Sequence, residues 1–152
     1  MADSIGTTAF DAKASLFTLF STAIGDGESL AGVDIWYSYN GASTEMPREV
    51  VWLGEVDWLD ETDESLGAMH RVEEYEIVLT VEVHRPGDTQ EEANARTEEL
   101  FQAVEGLLRQ RNPLGLPNIQ SCGIKPKVLG EGRDADGRGA ILVSKIRVRA
   151  RI

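Results

Sequence analysis

The chain has 152 residues, 41% of them hydrophobic and 27% charged, which is ordinary for a globular protein and fits one domain spanning residues 1–152. It has no apolar run long enough to span a bilayer, and residues 1–13 lack the basic region and apolar core of a signal peptide. The net charge of -11 is concentrated in residues 1–84, which hold 3 Lys or Arg and 17 Asp or Glu residues, so sequence-specific binding to nucleic acid is disfavoured.

The first half of the chain predicts one helix and two strands. The helix covers residues 8–24, because its large apolar side chains recur at the helical spacing. The strands cover residues 33–39 and 48–58, where apolar and polar side chains alternate. Gly54 predicts a β-bulge in the second strand. The polar segment LDETDESLGA that follows is interpreted as an acidic loop.

The most regular strand covers residues 73–85. Tyr75 and every second residue as far as Val83 form an apolar face, and the residues between them are mostly polar. One polar face predicts an antiparallel or mixed sheet that is open on one side.

A helix and a hairpin complete the predicted fold. Thr89 and Glu92 are spaced as a capping box at the start of the helix, and Pro113 limits its end. The hairpin turns around Asp136 and Gly137. The predicted order is therefore α-β-β-β-α-β-β, an α/β (α+β) domain whose mixed, largely antiparallel sheet packs against helices.

The chain ends in SKIRVRARI, residues 144–152, with a cation at every second position. We call Lys145, Arg147, Arg149 and Arg151 the basic ladder. Two interpretations carry equal weight. The cations pair internally with Glu76 and Glu82 of the neighbouring strand, which stabilises the fold by about 0.2–1 kcal/mol for each exposed pair. Alternatively, part of this charge remains available for contact with a partner protein.

A second charged group follows Trp58 and has the opposite sign. We call Asp60, Glu61, Asp63 and Glu64 the acidic cluster. It is interpreted either as a solvated loop or as a contact surface or channel lining.

Little in the sequence is typical of an enzyme. His70 and His84 are far apart and belong to no metal-ligating motif, and Cys122 has no neighbouring base. Asp134 begins a segment similar to a calcium loop, but the required glutamate is replaced by Lys145, so a hairpin turn is the better interpretation. We expect no catalysis, no cofactor and no metal.

Two segments carry a family resemblance. VEEYEIVLTVEVHRPGDTQEEANARTEELFQAVEGLLRQRNPLG and PREVVWLGEV resemble the bacteriophage tail terminator proteins, in the order of a long strand, a helix and a terminal hairpin. The resemblance covers residues 30–152.

The resemblance implies a structural virion protein, located in the tail or neck and assembled in the host cytoplasm. Six copies would form a homohexameric ring that caps the tail tube and ends its polymerisation. The ring would bind the major tail tube protein below it and the head–tail stopper or connector protein above it. Genomic DNA would pass through the centre in transit, without any membrane being involved.

Two alternatives remain open. One is another neck or head–tail joining (adaptor) protein, which shares the same ring architecture. The other is a small soluble α/β ligand-binding module, in which Trp36, Trp52 and Trp58 line a pocket.

Overall fold

The structure, a computed structural model, describes residues 7–39, 49–63, 71–86, 89–110, 113–134 and 137–151. In these ranges the elements are α1 (Ala9–Ser21), β1 (Asp34–Trp36), β2 (Glu49–Asp63), β3 (Arg71–Pro86), α2 (Gln90–Leu108), β4 (Ile119–Asp134) and β5 (Gly137–Arg151). The predicted element order and the predicted α+β class are confirmed.

Helix α2 begins where its sequence predicts. The Thr89 hydroxyl accepts a 3.2 Å hydrogen bond from the backbone amide of Glu92, which satisfies one of the free donors of the first turn. One face of the helix is buried through Ala93, Thr97, Leu100, Val104 and Leu108. The guanidinium of Arg96 donates to both carboxylate oxygens of Glu49, at 2.6 and 3.0 Å, so α2 is fixed to the start of β2.

Helix α1 is anchored at its first turn by a buried carboxylate. Glu73 on β3 is 3% exposed and accepts hydrogen bonds from the Thr7 hydroxyl, from the Thr8 amide at 3.1 Å and from the Trp58 indole at 3.0 Å. Three donors offset the cost of burying this side chain. The helix ends at Ser21, three residues earlier than predicted.

The five strands form one mixed sheet in the order β1-β2-β3-β5-β4. Strand β1 is parallel to β2, and the other neighbours are antiparallel. The predicted bulge is present, because the register of β2 against β3 shifts between Leu53 and Val56. A Cβ at Gly54 would lie 3.2 Å from the Cβ of Val78, so a glycine allows this close approach.

The two faces of the sheet differ in what covers them. Both helices pack on one side, the helix face, where a hydrophobic core combines side chains of α1, α2 and the strands. Its most buried strand residues, at most 2% exposed, include Val51, Leu53, Tyr75, Ile77, Leu79, Val81, Val83, Ile146 and Val148. The opposite side, the open face, carries the polar residues of β3 and β5. Strand β3 alternates as predicted over most of its length, but Thr80 and Val72, on the open face, are only 1% and 2% exposed.

Two strand boundaries also differ from the prediction. Strand β1 has 3 residues instead of the predicted seven. Strand β2 continues to Asp63, which lies opposite Arg71, so residues 59–63 are part of a strand and not of a loop. Pairing with β3 satisfies the backbone of this acidic segment, and tertiary pairing therefore overrides its polar composition.

Candidate interaction surface

The open face collects the charged side chains of three adjacent strands. Cross-strand register places Glu76 of β3 opposite Arg147 of β5, and Glu74 opposite Arg149. On the other side of β5, Lys145 lies opposite Lys125 of β4. The alternation of β5 therefore puts the basic ladder on one face, as the sequence predicted.

Three of the four residues of the basic ladder are paired internally with two glutamates, and the fourth, Arg151, is exposed and lies opposite Val72. Arg147 and Arg149 donate to the Glu74 carboxylate, at 2.5 and 2.7 Å. The ammonium of Lys145 lies 3.6 Å from Glu76. Hydrogen bonding from Arg147 lowers the pKa of Glu74 from its ordinary value. These contacts agree with the internal-pairing interpretation, although 61% of the Arg147 side chain and 37% of the Arg149 side chain stay exposed.

One predicted internal partner was wrong. Glu82 lies opposite Ile141, away from the arginines, and it accepts a 2.6 Å hydrogen bond from the Trp52 indole. Glu74 is the partner of the arginines instead, because the antiparallel register places the end of β5, with Arg147 and Arg149, beside the start of β3. The sequence alone allowed any of the β3 glutamates to be opposite the ladder.

The acidic cluster divides between a strand and the segment after it. Asp60, Glu61 and Asp63 lie at the end of β2, with the backbone of Glu61 opposite that of Glu73. Their side chains and the whole of Glu64 are outside the described residues. The predicted loop position was therefore wrong for the first three residues, and the predicted role in a contact or a channel stays a prediction.

A groove beside the basic ladder contains cations that the sequence analysis missed. Its volume is about 420 Å³, and its lining includes Lys125, Lys127, Lys145, Arg147 and Glu76. Lys125 and Lys127 flank Pro126 in a strand without regular alternation, so their position beside the ladder became visible only through the pairing of β4 with β5.

The three tryptophans do not line a common pocket. Trp36 and Trp52 are cross-strand partners on the open face, where the ring of Tyr39 lies 6.1 and 5.2 Å from their rings. Trp58 lies on the helix face, 6.4 Å from the rings of both Phe10 and Tyr75. The pocket that the ligand-binding alternative predicted is therefore not formed.

A second groove of about 540 Å³ lies between the end of α2 and β4. Its lining includes Cys122, and burial raises the pKa of that thiol to about 11, so it stays protonated at neutral pH. A protonated thiol is a poor nucleophile.

The described residues offer no metal site and no membrane-spanning helix. Within them, no group of three or more His, Cys, Asp or Glu side chains is placed to hold an ion. No described helix is long and apolar enough to cross a membrane. Asp136 and His70 lie outside the described residues.

A comparison with solved structures finds the same fold in a virion. The chain is similar to one from the virion of a native gene transfer agent particle, with a TM-score of 0.53 and 17% sequence identity. The likeness in fold covers 95% of this chain and 98% of that chain. No protein-family model and no curated protein matches the sequence.

Proposed function

We propose that this chain is a structural virion protein that forms a ring on the end of a tail tube. One observation carries the proposal: the fold is shared over nearly its full length with a chain of a virion. The resemblance of residues 30–152 to the tail terminator proteins supports the same function. Both likenesses span the α2 helix and the β4–β5 hairpin, so they concern the same elements.

The distribution of charge supports a ring of identical subunits. A cyclic ring needs a heterologous interface, in which one surface of a subunit meets a different surface of the next. Residues 1–84 are strongly acidic, and residues 85–152 hold 12 Lys or Arg against 9 Asp or Glu residues. Opposite charges on two parts of the chain favour such a contact and disfavour pairing of equal surfaces.

The net charge of -11 is consistent with a ring through which DNA passes. A strongly basic channel would hold the phosphate backbone and slow the genome. We propose that Asp60, Glu61, Asp63 and Glu64 line the channel or contact a neighbour. In this arrangement the basic ladder faces a subunit, the tail tube protein or the head–tail connector protein.

The proposal includes no enzymatic step. The protein acts as a six-membered ring in the neck of the virion, where it ends tube polymerisation and offers a docking surface for the filled head. Its partners are proteins, and DNA passes through without being read.

Electron microscopy of tail tubes tests the proposal. The tube protein from the same genome is polymerised with and without this chain, and negatively stained tubes are measured. We expect added protein to stop growth and to place one ring of density at a tube end. Tubes of unregulated length, without end density, would overturn the proposal. Density at the head side of the neck and none on bare tubes would instead indicate a head–tail adaptor.

A further inference from the structure

Among the residues that the structure describes, both edges of the sheet have backbone that no further strand pairs with. Strand β1 pairs with β2 only through Val50, Val51 and Trp52, so the rest of β2 has no described strand beside it on that side. At the other edge, β4 has β5 as its only strand neighbour in the described part of the chain. Free backbone donors and acceptors along such edges are ready to pair with another strand.

The two edges carry opposite charges over part of their length, although β4 also contains Glu131 near its end. Glu55 and Asp57 are exposed on β2, and Lys125 and Lys127 are exposed on β4. Within the described part of the chain, none of these four side chains forms an ion pair or a side-chain hydrogen bond. Their charges are therefore available to a partner.

Each edge also places like charges opposite each other. Asp57 lies opposite Glu76 in the next strand, and Lys125 lies opposite Lys145. Directly opposed like charges destabilise a sheet. The pair between Glu76 and Lys145 offsets part of this repulsion, but Asp57 and Lys125 have no such partner among the described residues. A partner of opposite charge at either edge would relieve the rest, and each edge offers the charge that the other lacks.

Exposed apolar side chains follow the charges on both edges. On β2, Trp58 is 48% and Leu59 is 37% exposed. On β4, Val128 is 61% and Leu129 is 48% exposed. Burial of such apolar side chains in a contact between subunits would contribute binding free energy, because exposed ion pairs alone contribute little.

We propose that copies of this chain join edge to edge, with the β4 edge of one copy against the β2 edge of the next. Three successive antiparallel pairings separate β2 from β4, so β4 runs opposite to β2. If the subunits of the ring are related by rotation about an axis parallel to the strands, β4 of one copy meets β2 of the next copy as an antiparallel pair.

The contact uses the part of β2 after residue 52, because β1 occupies residues 50–52. With Lys125 opposite Asp57, Lys127 falls opposite Glu55, and each of these two residues lies at a register shift of its own strand, so the two irregular segments face each other. The inference rests on the proposed ring, for which it names the subunit contact.

Charge reversal at each edge tests the contact. The basic-edge variant is Lys125→Glu/Lys127→Glu, and the acidic-edge variant is Glu55→Lys/Asp57→Lys. Sedimentation velocity of the full chain at low salt measures the oligomers, and circular dichroism verifies folding. We expect each variant alone to raise the apparent dissociation constant at least tenfold. An equimolar mixture should assemble again, because the reversed edges are complementary.

A matched control separates the edge from net charge. Asp26→Lys/Glu28→Lys alters the charge as much as the acidic-edge variant does, at exposed positions outside the sheet, and should assemble like the unmodified protein. Edge variants that assemble normally, a mixture that stays dissociated, or an unmodified chain that is monomeric throughout would each overturn the inference.

The same variants distinguish the inference from the proposed function. If the unmodified chain caps tail tubes and both edge variants cap them equally, only the edge contact is wrong. If the chain assembles through its edges but never alters tube length, the contact stands and the capping function is wrong.

Discussion

The two faces of the sheet use the same strands for different purposes. On the helix face, the buried polar residues Glu73, Thr97 and Ser144 each have a hydrogen-bond partner among the described residues. The Ser144 hydroxyl, for example, donates to the Leu79 carbonyl at 2.9 Å. On the open face, charges are many and partly exposed, with Glu74 shared by Arg147 and Arg149. We therefore expect substitutions on the helix face to change the free energy of unfolding most, and substitutions on the open face to change contacts with other proteins.

The largest expected difference in stability is between alanine variants of two isoleucines of β5. Ile146 on the helix face is 0% exposed, and Ile141 on the open face is 43% exposed. Ile146→Ala should lower the free energy of unfolding by about 2–5 kcal/mol, because it leaves a cavity in the core. Ile141→Ala should cost less than about 1 kcal/mol. Urea denaturation measures both values, and equal losses would contradict the division between the faces.

Two adjacent glutamates give the next largest difference. Glu73→Ala should lower the free energy of unfolding by about 1–3 kcal/mol, because the Thr8 amide and the Trp58 indole lose their buried acceptor. Glu74→Ala should cost about 0.2–1 kcal/mol, because its pairs are solvent-accessible. Thermal unfolding measures the stability of both variants against the unmodified protein. A greater loss for Glu74 would show that open-face pairs dominate stability.

The basic ladder should matter more for assembly than for folding. In Arg147→Ser/Arg149→Ser, we expect each lost pair to cost about 0.2–1 kcal/mol of stability. Assembly should weaken clearly, as measured by sedimentation or by capping of tail tubes. Normal assembly with only a small loss of stability would favour internal pairing as the whole role of the ladder.

The smallest expected effect is a dependence on pH. The pKa of Glu74 is lowered in the folded protein from the ordinary value of 4.5, mainly by its hydrogen bond from Arg147. Its stabilising contribution is complete above 4.5 and is lost as the pH falls through the lowered folded value. The stability difference from Glu74→Gln should therefore shrink in acid. A difference that is constant from neutral to acidic pH would contradict the pairing.

The sequence predicted the regular elements well and the contacts between them poorly. Strand β3 and helix α2 have strong periodic patterns, and Gly54 marked its bulge, because these signals are local. The residues opposite the basic ladder were predicted only in part, since Glu74 replaced Glu82 once the register of β3 and β5 was fixed. Lys125 and Lys127 were missed because β4 has no alternating pattern.

By itself, the sequence determined which side chains β3 and β5 bury, because a strand alternates its faces residue by residue. It also determined the excess of negative charge before residue 85. Only the tertiary structure decided which charges meet, since that depends on strand order and register. The order β1-β2-β3-β5-β4 places acidic β2 near one edge and basic β4 at the other. The uneven distribution of charge along the chain thereby becomes a sheet with an acidic segment at one edge and a basic segment at the other.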